Sequence, residues 1–318
     1  MYGFVCDPWK IIQTRLDPGS NRTVESLFTL GNEYMGLRGF LEEGYSGDTL
    51  PGVYVGGLYY PDKIRTGWEK KGCPEYLARV PNSINWAGLT VRIDGIAIDL
   101  NKHTPLFFRR ELDMKTGCLT RHVIVEIGKG KRVRLIFRRF LSMDDRHVSY
   151  VSVAVTPVNQ GMNVEVEALL DGDVDNEDAN CAEKFWTNEE NTACDDYTVL
   201  AARIRRTEYL LGAAQSITVR LNDQVLPAYK EIISAGEKNG YRLKADITKD
   251  DTLTIEKYVA VFTSRDTPAE EVPKAAVAKA QAAREAGYEA LFARHKDAMA
   301  EKWERLDVEI VGDDLAQQ

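Results

Sequence analysis

The stretch NWAGLTVRIDGIAIDL, residues 85–100, decides the fold class. Its apolar residues alternate with polar or charged neighbours, which is the period-two pattern of a strand with one buried face: Leu89, Val91 and Ile93. Asp94-Gly95 follows, and because both positions tolerate positive φ, the pair predicts a tight turn. The alternation then resumes at Ile96, Ile98 and Leu100. The stretch therefore predicts a β-hairpin.

The same alternation recurs along most of the chain. Residues 123–127 and 133–137 repeat it on either side of the turn Gly128-Lys129-Gly130. Further strands are predicted at 151–155, 164–168, 198–205, 217–221, 241–247 and 253–262. Because no helical segment separates these strands, they predict a large, mainly β domain of stacked antiparallel sheets.

The composition changes after residue 267, where the chain becomes rich in alanine. Pro268 suits a first helical turn, and Glu270 and Glu271 lie near the positive end of a helix dipole. An apolar stripe then recurs every three or four residues, which predicts a helical linker whose stripe needs a partner: Tyr288, Leu291, Phe292, His295, Met299, Trp303 and Leu306. Gly287 is expected to break or bend it, since glycine costs about 1 kcal/mol relative to alanine inside a helix.

These patterns predict three parts of the chain. The β-sandwich is expected over 1–267, the C-terminal helical linker over 268–306, and the start of a further domain over 307–318. The last segment shows no helix cap and no globular closure. We therefore expect a chain that continues into another domain.

The charge pattern narrows the classes of partner. The 318 residues carry 49 acidic and 41 basic side chains, a net charge of −8, with both signs mixed along the chain. Nucleic-acid sites need clustered lysines and arginines, so no nucleic-acid partner is expected. No run of about 18 apolar residues occurs, and the first residues lack the pattern of a secretory signal. The sequence predicts a cytoplasmic protein without membrane contact.

The sequence does not predict a metal site. Five cysteines and four histidines are far apart, without a Cys-x-x-Cys pair. The acidic run at 171–178 has aspartates at alternate positions but lacks the glycine and glutamate of an EF-hand loop. A solvated loop is the favoured interpretation, and Gly128-Lys129-Gly130 lacks the spacing of a phosphate-binding loop.

Three segments resemble the N-terminal region of glycoside hydrolase family 65, in the order in which that family has them. They are ESLFTLGNEYMGLRG at 25–39, NWAGLTVRIDG at 85–95 followed by RRELDMKTGCLTR at 109–121, and RRFLSMDDRH at 138–147. The family contains maltose, trehalose and kojibiose phosphorylases and some trehalases. Glu33 departs from its pattern, which usually has glycine there, so Glu33 is strained if the position takes positive φ.

The resemblance implies a super-sandwich joined by a helical linker to an (α/α)6 catalytic barrel. In the family's inverting phosphorylases, a barrel glutamate protonates the leaving oxygen while inorganic phosphate attacks the opposite face. Both the glutamate and the phosphate pocket would lie outside residues 1–318, so we assign no catalytic residue and no cofactor beyond phosphate as co-substrate. The implied partners are the barrel, an α-glucosidic disaccharide and, because dimers are common in the family, a second copy.

Four residues are candidates for contact with the barrel or its substrate. Asn32, Tyr34 and Arg38 lie in the densest signature, framed by glycines, where a structural hydrogen-bond network is the favoured interpretation. Asn176 lies in the acidic loop, and loops at sandwich edges can reach a neighbouring domain. Several aromatic residues could stack on sugars, although packing is favoured for each: Trp68, Trp86, Trp186, Tyr59 and Tyr60.

Two other functions stay open. A stand-alone carbohydrate-binding module would need a concave aromatic platform and sugar affinity without the barrel. A sugar epimerase resembling mutarotases would need a histidine and a glutamate that converge in a sheet cleft. His122 and Glu126 are the candidates, because they share one face of a predicted strand.

Overall fold

The computed structural model describes residues 3–64, 72, 74–177, 179, 183–227 and 230–317. Trp68, one of the candidate sugar-stacking residues, lies outside them. The described residues form antiparallel sheets followed by a long helical segment.

Strands make up most of the chain before residue 264. In chain order they are β1 (Phe4–Val5), β2 (Lys10–Gln13), β3 (Leu30–Gly31), β4 (Met35–Leu37), β5 (Val53–Val55), β6 (Tyr60–Lys63), β7 (Tyr76–Arg79), β8 (Leu89–Ile93), β9 (Ile96–Ala97), β10 (Phe107–Asp113), β11 (Cys118–Ile127), β12 (Lys131–Leu141), β13 (Val148–Pro157), β14 (Met162–Asp171), β15 (Trp186–Ala193), β16 (Thr198–Ile204), β17 (Leu210–Leu221), β18 (Gln224–Val225), β19 (Lys230–Ala235), β20 (Lys238–Ile247) and β21 (Leu253–Thr263). The helices are α1 (Asn21–Leu27), α2 (Val272–Leu306), preceded by a 3-10 turn at Ala269–Glu271, and α3 (Asp314–Gln317).

The strands form two layers. The first is one large sheet in the order β1-β2-β10-β11-β12-β13-β21-β17-β16-β15, with β18 on β17. The second contains the sheet β19-β20-β14-β8-β9, and two short sheets, β3-β4-β5 and β6-β7, complete the strands. One hydrophobic core joins the layers, and residues such as Val91, Leu135 and Val166 are fully buried in it. This confirms the predicted mainly β fold of stacked antiparallel sheets.

The hairpin predicted at residues 85–100 is confirmed. Asp94 and Gly95 have φ values of 48° and 81° and join β8 to β9. Lys129 and Gly130, with φ of 64° and 74°, likewise turn β11 into β12. The predicted strands farther along all lie within or largely overlap observed ones, whereas the short strands between residues 30 and 79 carry too few residues to show a period.

The helical segment α2 covers part of the outer face of the large sheet. Gly287, with φ 76° and ψ 165°, interrupts it, which confirms the predicted break. The first half packs through Ala276 and Ala280, and the second half packs through Leu291 and its neighbours against aromatic residues of the sheet. The predicted apolar stripe therefore finds its partner within the chain, except that Leu306 is 73% exposed.

Candidate functional site

One end of the sandwich gathers the signature segments and both ends of α2. The β10–β11, β12–β13 and β16–β17 turns lie there together with the end of β21, because antiparallel neighbours turn at the same edge. α2 starts just after β21 and returns to this end, where the Trp303 indole nitrogen donates to the Met114 carbonyl at 2.8 Å. We call it the linker end.

Asn32 ties the signature loop to the β12–β13 turn. Its amide nitrogen donates to the carbonyls of Ser142 and Arg146, at 2.8 and 3.0 Å. Its amide oxygen accepts from the backbone nitrogens of Tyr34 and Met35, at 3.3 and 2.7 Å. With only 3% of its surface exposed, Asn32 uses its hydrogen-bonding capacity inside the domain.

Tyr34 fixes the start of the linker. Its hydroxyl donates to the Asp266 carboxylate at 2.5 Å, and its ring packs edge-on against His147. Burial raises the pKa of the Tyr34 phenol, and the bond to Asp266 raises it further, so the hydroxyl stays a donor. The Arg146 guanidinium lies 5.3 Å from the centre of the Tyr34 ring.

Glu33, between these two residues, has left-handed backbone. Its φ is 70°, which agrees with the strain expected from a glutamate at a glycine position. Its side chain is 75% exposed and accepts from the Lys302 ammonium at 2.5 Å. That hydrogen bond lowers the pKa of the Glu33 carboxyl. The loop thereby contacts the second end of α2.

Arg38 and Asn176 lie beyond the other end of β4. Arg38 donates to the carbonyls of Leu50 and Arg22, at 2.9 and 2.8 Å, and to the Ser26 hydroxyl. The Asn176 amide accepts from the Asn82 backbone nitrogen at 2.7 Å and donates to the Val80 carbonyl at 2.9 Å. An ion pair between Arg22 and Glu177 connects the two neighbourhoods. The four candidates thus form two groups rather than one pocket.

Three buried arginines are the main feature that the sequence interpretation missed. Arg110, Arg121 and Arg139 are at most 2% exposed and point inward from β10, β11 and β12. Arg121 donates to both Glu42 and Glu43, and Arg139 lies 3.3 Å from Glu42. The phase of each strand carried the signal, because Arg121 and Arg139 continue the alternation of the buried positions Val123 and Phe137.

The ionised forms of Arg121 and Glu42 are stabilised by their partners, whereas burial prevails at the other groups of the cluster and lowers the pKa of Arg110 and Arg139. Burial alone would lower the pKa of Arg121, but Glu43 and Glu42 raise it. Burial likewise opposes ionisation of Glu42, and Arg139 and Arg121 overcome it and lower the pKa of that carboxyl. Burial raises the pKa of Glu43, against the pull of Arg121. These carboxylates are committed to holding the signature segment on the sheet.

Four exposed apolar residues lie in or beside the β6–β7 hairpin, and we call this set the aromatic rim: Tyr59, Tyr76, Leu77 and Val80, which are 39–56% exposed. Arg206, in the β16–β17 turn, lies 5.7 Å from the Tyr76 ring centre. Tyr60, Trp86 and Trp186 are buried instead, so packing accounts for them. Aromatic side chains and arginine together are typical of protein interfaces.

His122 and Glu126 do not converge. They lie on one face of β11 four residues apart, which corresponds to about 13 Å along a strand. Glu126 pairs with Arg132 at 3.0 Å. Burial, followed by Arg138 and Arg109, lowers the pKa of His122. The residues proposed for an epimerase therefore lack the geometry of an acid–base pair.

The described part of the chain offers neither a metal centre nor a membrane span. Among those residues, no three or more histidine, cysteine, aspartate or glutamate side chains are grouped to hold a metal ion. Within the same residues, no helix combines the length and the apolar character needed to cross a membrane.

Comparison with known proteins identifies the relatives of this chain. The family model described as "Glycosyl hydrolase family 65, N-terminal domain" matches residues 11–302. Maltose phosphorylase of Bacillus subtilis is 35% identical over 99% of the chain and 41% of its own length. Kojibiose phosphorylase of Halothermothrix orenii is 26% identical over 97% and 39%, respectively.

Two further matches agree with these. Alpha,alpha-trehalose phosphorylase of Thermoanaerobacter brockii is 27% identical over 98% of the chain and 41% of its own length. A solved structure of a human-microbiome protein, provisionally described as a kojibiose phosphorylase, superposes with a TM-score of 0.87 at 21% identity. It covers 100% of this chain and 41% of that one. The chain thus spans about two fifths of the length of these relatives.

Proposed function

Because the chain belongs to the N-terminal domain family of glycosyl hydrolase family 65, we propose that it is the non-catalytic N-terminal domain of a cytoplasmic enzyme. That enzyme cleaves an α-glucosidic disaccharide by inverting phosphorolysis, with a glutamate of its catalytic barrel as the acid and inorganic phosphate as the nucleophile. One observation carries the proposal: nearly the whole chain aligns with about two fifths of phosphorylases named for three different disaccharides.

The ion pairs and hydrogen bonds made inside the domain favour a structural, non-catalytic role for it. The buried carboxylates of Glu42 and Glu43 are paired with arginines. A catalytic acid must instead be able to exchange protons with its substrate. Asn32 and Tyr34 spend their polar groups on fixing the β12–β13 turn and the linker. We therefore propose that the signature residues hold the start and the end of the linker in position.

The linker end is the surface that we assign to the catalytic barrel. The aromatic rim adjoins it, because the Tyr59 carbonyl accepts from the Thr207 hydroxyl in the β16–β17 turn, and α2 returns to the same end, where Lys302 contacts Glu33. Beyond α2, Val308 and Val311 are 71% and 87% exposed, which again offers apolar surface at this end. Contiguous exposed apolar surface marks an interaction site.

The first experiment compares the 318-residue protein with the same protein extended through its downstream reading frame. Glucose 1-phosphate release is measured from maltose, trehalose and kojibiose in the presence of phosphate. We expect release by the extended protein and none by residues 1–318. Turnover by residues 1–318 alone would overturn the non-catalytic assignment, and an inactive extended protein would overturn the phosphorylase assignment.

A matched pair of variants tests the docking surface in the extended protein. Val80→Asp places a charge on the rim, and Val225→Asp places the same charge on β18 at the opposite end of the sheet, where Val225 is 63% exposed. We expect Val80→Asp to lower phosphorolysis at least about tenfold, with unchanged circular dichroism, because burying an unpaired charge costs over about 1.4 kcal/mol. Equal activities of the two variants would move the barrel elsewhere.

A further inference from the structure

A cavity lies on the outer face of the large sheet, beside the bend in α2 and away from the linker end. Its volume is about 580 Å³, within the range of small-molecule sites. Strands β12, β13, β21 and β17 form the floor, and residues 286–289 form one wall. A second cavity of about 520 Å³ shares Arg220, Ala286 and Gly287 with it. The two form a groove that passes the bend.

The floor carries a buried carboxylate that is held in place. Glu256, 6% exposed, accepts from the hydroxyls of Tyr258 and Tyr150, at 3.0 and 3.4 Å. Arg220 adds a third hydrogen bond at 3.0 Å and neutralises the charge. A carboxylate has about four acceptor positions, so Glu256 can accept one more hydrogen bond from the cavity. Three fixed partners leave that position preorganised.

The opposite side of the cavity offers donors. Arg138, half-buried on β12, spends one of its guanidinium hydrogens on the Tyr288 hydroxyl at 2.9 Å. A guanidinium has five, so several remain for a ligand. The Ser152 side chain, 7% exposed on β13, lies between Arg138 and Glu256 in the lining. Donors and acceptors thus alternate across the floor.

The balance of charge indicates the class of ligand. Arg138 and Arg220 face the carboxylates of Glu256, Asp223 and Glu289, so the lining has no excess of positive charge that would attract phosphate. Adjacent hydroxyl groups, each both a donor and an acceptor, match this mixed lining better than an ion of either sign. The cavity therefore suits a neutral polyhydroxylated ligand.

The bend itself opens the groove. Gly287 has φ 76° and ψ 165°, a region that is essentially restricted to glycine, and a side chain added there would enter open space. A continuous helix would keep its direction at this point instead of turning back along the sheet. The local backbone thus creates the space that the polar floor lines.

We propose that this groove is an ancillary saccharide-binding site, separate from the catalytic centre of the longer enzyme. The choice of an α-glucosyl saccharide as its ligand rests on the proposed function. Binding is weak, with a Kd of about 1 mM, because each hydrogen bond formed in the groove replaces one that the ligand makes with water.

The test is calorimetric titration of residues 1–318 with maltose and maltotriose. Arg138→Met removes the principal donor, and Arg134→Met, four residues away on the same exposed face of β12 and outside the cavity, is the control. We expect Arg138→Met to weaken binding at least about tenfold, because it removes hydrogen bonds from a charged donor, and Arg134→Met to leave it unchanged. Ala154→Trp, which fills the cavity, should abolish binding as well.

Each outcome of the titrations either supports or overturns the proposed saccharide site. Absence of measurable binding, or equal loss in both arginine variants, overturns the site, and so does full binding by Ala154→Trp. Saccharide binding to residues 1–318 with an inactive extended protein would uphold this site and sink the proposed function alone.

Discussion

Two regions of the sandwich bury a basic side chain between its layers, and the partners of these two side chains differ. Under β11, Arg121 binds the carboxylates of Glu42 and Glu43. Under β21, Lys257 is also fully buried, but its ammonium donates to the backbone carbonyls of Leu169 and Gly88, at 2.6 and 3.3 Å. In the first region the basic group contacts carboxylates, whereas in the second it contacts only backbone carbonyl dipoles.

The difference shows in the direction of the pKa shifts. The carboxylates raise the pKa of Arg121 despite its burial, so its charge is stabilised in the folded state. Burial lowers the pKa of Lys257 well below its usual range, because two carbonyl dipoles do not replace the lost hydration. Burial depth therefore does not decide whether a charge is stabilised, whereas the partner of that charge does.

The largest expected effect comes from breaking the charge-paired region. Arg121→Met leaves Glu42 and Glu43 buried without their main partner, which should cost about 3–5 kcal/mol of unfolding free energy. Urea denaturation measures it. The control is Arg109→Met on the exposed face of β10, where about 1 kcal/mol or less is expected. Equal losses would mean that the buried pairing contributes nothing special.

A smaller effect, of opposite sign, is expected from Lys257→Met. Methionine has a similar shape and needs no hydration, so unfolding free energy at pH 7 should stay equal or rise by about 1 kcal/mol. Because the folded pKa of Lys257 is lowered, the unfolded state binds more protons up to about pH 10.4, and wild-type stability should rise with pH in that window.

The variant supplies the control for this pH dependence. The slope of unfolding free energy between neutral pH and about pH 10 should be smaller in Lys257→Met than in the wild type. Two results would contradict this difference between the regions: identical pH slopes in the two proteins, or a loss of several kcal/mol of unfolding free energy in Lys257→Met at pH 7. Either would mean that the charge of Lys257 is stabilised in the folded state, as that of the charge-paired arginine is.

The smallest effect concerns His295, a second buried base without a carboxylate. Its Nδ1 accepts from the Met143 backbone nitrogen at 3.0 Å, and its Nε2 lies 2.6 Å from the Thr116 carbonyl. Burial lowers the pKa of His295, so stability should fall as pH drops below about 6.5, where the unfolded state gains the proton first. Protonation would break the Met143 bond, worth about 1 kcal/mol.

Hydrogen exchange of the amides in α2 checks this at pH 5 and pH 7. Protection of the second half should weaken at the lower pH in the wild type and change less in His295→Gln. Uniform loss of protection along the whole sandwich would instead assign the pH effect to other groups.

The sequence predicted the structural features that depend on a few neighbouring residues. The hairpin at Asp94-Gly95 and the break at Gly287 each follow from one or two residues, and the structure has both. Alternation along β11 and β12 also places Arg121 and Arg139 on the buried face, a signal that the sequence interpretation missed. These features depend on the chain within a few residues.

The sequence could not predict which distant segment covers each face. Glu43 lies 78 residues before Arg121, and no local pattern joins them. For the same reason the candidates Asn32 and Arg38, close in sequence, face different neighbours, Ser142 in one case and Leu50 in the other. The groove beside Gly287 depends on four strands and a helix bend at once.

The strand order of the large sheet determines when the sheet can be completed during synthesis. Among the described residues, β21 pairs with β13 on one side and with β17 on the other, so it joins the two halves of the large sheet, and it follows the other strands of that sheet along the chain. A ribosome adding about 5–20 residues per second therefore holds two unjoined half-sheets until Thr263 emerges. Their facing edges stay open to wrong pairing throughout that interval. A chaperone that shields strand edges would act on this domain before its final strand arrives, and would lose its target within seconds afterwards.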